Sequence, residues 1–209
     1  MREHYYVGVD LGQARDPSAI AILEYSEVPG TVRDPVRFNF PVIQRLALRQ
    51  VERLPLGTEF SGVARRVGQI ARYLANNNPG RYGQSPVTLV IDATGVGRPV
   101  VEMIRKEPLQ CAQVVPVMIT GGSQSHQTGG FWHVPKTELI MRLATMVDRA
   151  EFFVAANLRN KEAWLAEMLS VKAGTLSGNP DDLVIATALA CWRARRGKIG
   201  ESNVPLRFN

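Results

Sequence analysis

The amino-acid sequence predicts an α/β fold, a mixed five-stranded sheet with helices on both faces. Three β-rich segments follow one another at the start of the chain, and a short apolar run, Val87–Ile91, is typical of a strand buried on both faces. Amphipathic segments of helical period lie between and after the later strands. This order predicts a three-strand antiparallel meander plus two parallel strands, with the first strand at the centre.

The first three strands are predicted from alternation and from their spacing. Tyr5–Val9 is β-rich and ends at Asp10, so the strand closes with a carboxylate. Only a short turn with a proline separates it from Ser18–Glu24. Because a parallel partner would need a longer connection, we expect Ser18–Glu24 to pair antiparallel with the first strand. Val36–Arg45 alternates again and is the predicted third strand.

The rest of the chain alternates helical and strand patterns, with a Gly/Ser-rich loop predicted at Thr120–Gly130. We predict one domain over residues 1–196 and a polar C-terminal tail over 197–209. The predicted strands are Val87–Ile91 and Cys111–Ile119, and the predicted helices are Thr58–Ala75, Pro99–Lys106, Pro135–Ala150, Asn157–Ser170 and a last one from Asn179 to Arg196.

Composition narrows the function classes. The 209 residues carry a net charge of +6, which suits a polyanionic partner, and two cysteines form no disulfide framework. The N-terminus has no apolar signal-peptide core, and the longest apolar run, Leu183–Trp192, is too short to cross a bilayer. We therefore expect a cytoplasmic protein with no membrane partner. The absence of a GxxxxGK[ST] motif excludes a P-loop NTPase.

Carboxylates stand at the points where an α/β sheet places its sites. Asp10 and Asp92 each follow a strand, and Asp181 and Asp182 lie in the first turn of an apolar helix. If the two strands are parallel neighbours, Asp10 and Asp92 lie side by side at the carboxyl edge of the sheet. The last helix needs only to pack there to complete a cluster. Taken singly, each residue is better explained as a turn former or as a partner of the helix dipole, whereas the set taken together favours a metal site.

A cluster of carboxylates repels itself and draws in cations. Oxygen ligands without His or Cys favour Mg²⁺ or Mn²⁺, and two such ions about 3.5–4 Å apart can activate a water in phosphodiester hydrolysis. The sequence therefore predicts a two-metal site, and the basic excess would hold a phosphate backbone.

Three motifs resemble the nuclease domain of phage terminase large subunits. They are VGVDLGQARDPSA from Val7, VIDATGVG from Val90 and PDDLVIA from Pro180, in the same order and spacing. The resemblance covers about residues 5–196 and implies an RNase H-like fold and a metal-dependent endonuclease that cuts double-stranded viral DNA during genome packaging. It also implies a terminase ATPase motor, a small terminase and a portal as partners, and the cytoplasm of a phage-infected or prophage-carrying bacterium as the location.

The resemblance assigns roles residue by residue. Asp10, Asp92 and Asp182 would be catalytic metal ligands, and Asp181 would be a fourth ligand or a support for the others. Which of Asp181 and Asp182 is the main ligand stays open. Position 180 is Pro where the family often has His, and the chain carries no motor, which would make it an excised domain, a split subunit or a prophage remnant.

Basic residues near the predicted site are candidate DNA contacts. Arg98 and Arg105 flank the helix after Asp92, and Lys136 follows Val-Pro at the start of a helix, where the family often has lysine. The Thr120–His133 segment could grip DNA by stacking through Phe131 and Trp132, or those side chains could anchor it to the core.

Other functions remain open at this stage. A Holliday-junction resolvase would share the carboxylates and differ in its preference for branched DNA. A sugar kinase or actin-like ATPase needs two lobes and a Gly-Thr or Gly-Ser where Gln13 stands, so the chain fits it poorly. A non-catalytic DNA-binding module would gain nothing from clustered negative charge beside phosphates.

Overall fold

An eight-stranded mixed sheet forms the centre of the computed structural model, which describes residues 3–12, 16–78, 86–95, 97–110, 112–172 and 180–196. The strand order is β6-β7-β5-β4-β1-β2-β3-β8. The strands are β1 Glu3–Asp10, β2 Ala19–Pro29, β3 Val42–Arg53, β4 Val87–Asp92, β5 Gln113–Thr120, β6 His126–Thr128, β7 Phe131–Pro135 and β8 Phe152–Val154. The helices are α1 Phe60–Asn77, α2 Gly97–Lys106, α3 Lys136–Asp148, α4 Lys161–Lys172 and α5 Asp182–Arg196.

The predicted meander and crossovers are present, and β1 is central. Strand β1 pairs antiparallel with β2 and parallel with β4, and β5 continues the parallel half. All six residues of β4 are buried, in line with its continuous apolar run. The mixed architecture expected from the sequence is therefore confirmed.

The predicted count of five strands is wrong, because the sheet gains a strand or a hairpin at each edge. The Gly/Ser-rich segment predicted as a loop, Thr120–Gly130, contains β6 and the turn of the β6–β7 hairpin, where Gly129 and Gly130 have φ of 59° and 83°. Strand β7 extends the sheet beside β5, and the three-residue β8 adds to β3 at the other edge. Such short strands pair only because a long neighbour offers them a free edge.

The third strand lies further along the chain than predicted. Asp34 accepts the backbone N–H of Val36 and of Arg37 at 2.8 and 2.9 Å, which closes a turn at the start of the predicted Val36–Arg45 segment. Strand β3 begins after that turn and continues to Arg53, so the strand ends beside the carboxyl edge of β1.

Helices cover both faces of the sheet, as predicted. Helices α1 and α2 pack on the face that carries Val7 and Val9, and α3, α4 and α5 pack on the opposite face. No helix in the described ranges is long and apolar enough to cross a membrane. The predicted tail, 197–209, and Cys111 lie outside the described residues.

Candidate active site

Sheet register places Asp10 beside Asp92. Strands β1 and β4 are parallel, with Val9 opposite Ile91, so the next residue of each strand is an aspartate at the same edge. The two carboxyl groups lie within hydrogen-bonding contact, and Asp92 is only 8% exposed. We call Asp10 and Asp92 the strand pair.

The loop after β4 fixes the Asp92 side chain. Its Oδ1 accepts the backbone N–H of Thr94 at 2.8 Å, and the Thr94 hydroxyl accepts the backbone N–H of Ile119 at 2.7 Å. The chain then turns through Gly95, whose φ of 76° suits glycine. Asp92 is thereby tied to both its own loop and the end of β5.

A glycine brings the last helix onto β1. A Cβ atom at Gly8 would lie 1.8 Å from the carbonyl oxygen of Ala186, so no larger residue fits beneath α5. Gly8 and Asp10 share one face of β1, and Asp182 lies one helical turn before Ala186. The close approach therefore carries the first turn of α5 to the strand pair.

Asp181 and Asp182, which we call the helix pair, each face a cation. Lys136 Nζ donates to Asp181 Oδ2 at 2.6 Å, and Arg53 Nε lies 3.3 Å from Asp182 Oδ2. The carbonyl of Asp181 accepts the N–H of Ile185 at 2.8 Å and so opens α5. Lys136 is the first residue of α3, where a positive charge opposes the helix dipole, and its contact with Asp181 offsets that cost.

The electrostatics of the strand pair are unfavourable to ionised carboxylates. Burial raises the pKa of Asp10 well above its ordinary value, and the charges of Asp92, Asp182 and Asp181 raise it further, whereas Lys136 lowers it. Burial also raises the pKa of Asp92, against the hydrogen bonds from Thr94 and the charge of Lys136. The four aspartates predicted from the sequence therefore share one electrostatic environment.

Burial likewise raises the pKa of Asp182, with Arg53 opposing the shift.

Arg53 and Glu167 are the site residues that sequence reasoning missed. Arg53 ends β3, whose position was predicted too early in the chain, and its Nη2 donates to Glu167 Oε1. Glu167 is buried on α4 and accepts the N–H of Val184 at 3.0 Å. Nothing in the local pattern of α4 marks this glutamate, since only the packing of α4 against α5 gives it a role.

The donor chemistry of the four aspartates fits a hard divalent cation, because every donor is a carboxylate oxygen. Asp182 Oδ2 is also buried without a hydrogen-bond partner among the described residues. As the side chains stand, however, no group of three or more His, Cys, Asp or Glu in the described ranges is placed to hold a metal ion. Lys136 and Arg53 occupy the helix pair, so a complete ligand set requires both cations to give way.

The three residues proposed as DNA contacts lie at different distances from the aspartates. Lys136 lies at the aspartates, and Arg98 lies at the start of α2, where its Nη2 donates to Gly129 O at 3.4 Å and its guanidinium stacks 5.6 Å from the Phe131 ring. Arg105 pairs with Glu102 at 2.7 Å in the last turn of α2, about 10 Å further along the helix. Arg105 therefore lies away from the cluster.

Trp132 anchors the β6–β7 hairpin to the core. Its ring meets Trp192 edge to face at 5.6 Å, and Arg196 stacks on it at 4.2 Å. Phe131 instead lies under Arg98. Of the two roles considered for these aromatic residues, anchoring therefore applies to Trp132.

Comparison with known proteins rests on structure alone, since no family model and no curated protein matches the chain. The human cytomegalovirus terminase nuclease domain is 10% identical, with a TM-score of 0.54 over 91% of this chain and 82% of that one. Its manganese-soaked form gives 0.56 at 11% identity over the same shares. The large terminase nuclease from thermophilic phage G20c is 18% identical, with a TM-score of 0.49 over 90% of this chain and 81% of that one. The chain therefore has the fold of the cytomegalovirus terminase nuclease domain, as the resemblance of its three acidic motifs implies.

Proposed function

We propose that the chain is a divalent-metal-dependent endodeoxyribonuclease that hydrolyses phosphodiester bonds of double-stranded DNA. The observation that carries the proposal is the convergence of the strand pair and the helix pair at one edge of the sheet. Four carboxylates in one electrostatic environment, with the pKa of Asp10 raised by burial and by the other three, are costly unless a cation joins them.

Asp10, Asp92 and Asp182 are the proposed metal-holding residues, and Asp181 is the fourth member. Bound Mg²⁺ or Mn²⁺ would supply charge stabilisation at the reacting phosphate and a more acidic water. The chain's own part is to hold these oxygens in a fixed frame, which the β1–β4 register and the contact at Gly8 provide. The manganese-soaked cytomegalovirus domain has the same fold and supports this choice of ion.

Lys136 is the proposed link between the site and the substrate. Its side chain is 41% exposed while the ammonium bonds Asp181, so a DNA phosphate can approach Lys136 from solvent. A phosphate that binds the Lys136 ammonium would replace its contact with Asp181, and Asp181 could then bind the cation. Arg98, exposed at the start of α2, is placed to contact the phosphate backbone beside the cluster.

We place this activity in viral genome packaging, in the cytoplasm of a phage-infected or prophage-carrying bacterium, with a terminase motor, a small terminase and a portal as partners. The fold shared with terminase nuclease domains supports the assignment. A Holliday-junction resolvase remains the alternative, and the two functions differ in the preferred substrate.

The test is nicking and linearisation of supercoiled plasmid in Mn²⁺ or Mg²⁺. We expect cutting that disappears with EDTA and falls at least about a thousandfold in Asp10→Asn, since one ligand and its charge are lost. Asp148→Asn, at the far end of α3, is the matched control and should cut like the wild type.

A folded protein that cuts with neither metal contradicts the proposal. Cutting that survives EDTA or Asp10→Asn contradicts the role of the carboxylates. A strong preference for a four-way junction over linear duplex would favour the resolvase instead.

A further inference from the structure

A buried glutamate outside the proposed ligand set connects three elements at the site. Glu167 lies on α4 and is 5% exposed. One oxygen accepts the N–H of Val184 in the first turn of α5, and the other accepts Nη2 of Arg53 at the end of β3. Buried carboxylates that are paired in this way hold their partners in fixed positions.

The contact between Arg53 and Asp182 is of a different kind. Arg53 Nε lies 3.3 Å from Asp182 Oδ2, yet neither atom has a hydrogen-bond partner among the described residues. Arg53 therefore donates its shorter bond to Glu167 and contacts Asp182 through the longer Nε–Oδ2 ion pair at 3.3 Å. A guanidinium that faced Asp182 alone would form a two-pronged pair with it and would fill the place of a cation.

We infer that Glu167 is a positioning residue that holds part of the Arg53 guanidinium and so weakens the contact of Arg53 with Asp182, which lets a divalent cation displace Arg53 from this carboxylate. The inference rests on the proposed function, because it concerns cation binding at the same aspartates. It adds that the Arg53–Glu167 pair sets how strongly Arg53 competes with that cation for Asp182.

The variant that tests the inference is Glu167→Gln. Glutamine keeps an oxygen for the Val184 N–H and removes the charge that holds Arg53. We expect the affinity for Mn²⁺, measured by titration calorimetry without DNA, to fall about tenfold, as is typical when a partner of a ligand is changed. The kcat for plasmid cutting should fall while the KM for DNA is unchanged.

The double variant Arg53→Gln with Glu167→Gln separates positioning from a merely structural role. Once Arg53 is gone, Asp182 has lost the cation that faces it, and Mn²⁺ affinity should return to within about threefold of the wild type. The matched control is Glu52→Gln. Glu52 lies one residue before Arg53 and pairs with Arg66 at 2.7 Å, so this variant loses a salt bridge nearby and should bind Mn²⁺ like the wild type.

Each outcome has a distinct meaning. A wild type that binds and cuts, together with a Glu167→Gln protein of unchanged Mn²⁺ affinity, overturns the inference alone. Weakened binding that the double variant does not restore also overturns it, because capping of α5 would then explain the effect. A folded wild type that neither binds Mn²⁺ nor cuts overturns the proposed function.

Discussion

The strand pair and the helix pair differ in how their charge is balanced. Asp181 and Asp182 each face a cationic side chain, Lys136 and Arg53. Asp10 and Asp92 lie nearest each other, and Lys136 is the cation that lowers the pKa of both. The helix pair is thus neutralised by the protein, whereas the strand pair carries an unfavourable burial of like charges.

This difference shows which part of the site carries the electrostatic cost of burying carboxylates. Two carboxylates at neighbouring strand ends cannot avoid each other, because the sheet register fixes their separation. A helix start can turn its side chains toward cations on α3 and β3. A bound cation would therefore lower the electrostatic energy most at the strand pair, whereas at the helix pair it would have to displace Lys136 and Arg53.

The largest effect is expected from separating the two pairs. Gly8→Ala places a methyl group 1.8 Å from the Ala186 carbonyl, so α5 must move off β1. We expect the free energy of unfolding to fall by about 2–3 kcal/mol and cutting to be lost. Chemical denaturation and plasmid cutting measure both. Gly121→Ala, where a Cβ meets nothing within 4 Å, is the control, and equal effects in the two variants would contradict the packing argument.

Removing one charge of the strand pair should stabilise the fold while it abolishes cutting. The pKa of Asp10 is raised in the folded state, so the ionised group destabilises the fold as pH rises through that pKa. Asp10→Asn should therefore raise the free energy of unfolding by about 1 kcal/mol above neutral pH, and less in acid.

The matched control for Asp10→Asn is Asp34→Asn. The backbone N–H groups of Arg37 and Val36 lower the pKa of Asp34, so its ionised form favours folding. This variant should lower the melting temperature slightly. A destabilised Asp10→Asn protein would show that the strand pair is not a source of repulsion.

Lys136→Gln should reduce the difference in charge balance between the two pairs, because it removes the positive charge that faces Asp181. Because Lys136 lowers the pKa of Asp10 and of Asp92, its loss should move the pH midpoint of Mn²⁺ binding upward and slow cutting about tenfold at neutral pH. Titration of Mn²⁺ affinity against pH measures the shift. Lys106→Gln, at the end of α2, should leave the midpoint in place, and an unmoved midpoint in Lys136→Gln would refute the coupling.

The last prediction concerns Glu167, beside the helix pair. Burial raises its pKa from 4.5 to about 7, so the folded state binds more protons than the unfolded state between those values. Its contribution to stability is present below about pH 4.5 and is lost as pH rises through about 7. Unfolding measured across this range should show a smaller downward slope in Glu167→Gln than in the wild type. A steeper slope in the variant would contradict the raised pKa.

Sequence reasoning succeeded where a local pattern and the tertiary contact agree. The apolar run before Asp92 predicted a buried strand, and the short turn after Asp10 predicted an antiparallel neighbour, so both aspartates were expected at one edge. It placed the third strand too early, at Val36–Arg45, because the Asp34 turn occupies the first residues of that segment and only 42–45 belong to β3. The β6–β7 hairpin was missed because glycines dominate its composition, although an adjacent long strand stabilises it.

The mixed α/β plan, the central first strand and an acidic residue at the end of each of two strands can all be inferred from the amino-acid sequence alone. These follow from periodicity, turn residues and connection length, which are local properties. The contacts of Lys136 with Asp181, of Arg53 with Asp182 and of Glu167 with Arg53 are visible in the folded chain and in no local pattern of the sequence. Such contacts join residues far apart in the chain, and they arise because the fit of α5 over Gly8 brings β3, α3 and α4 to one place.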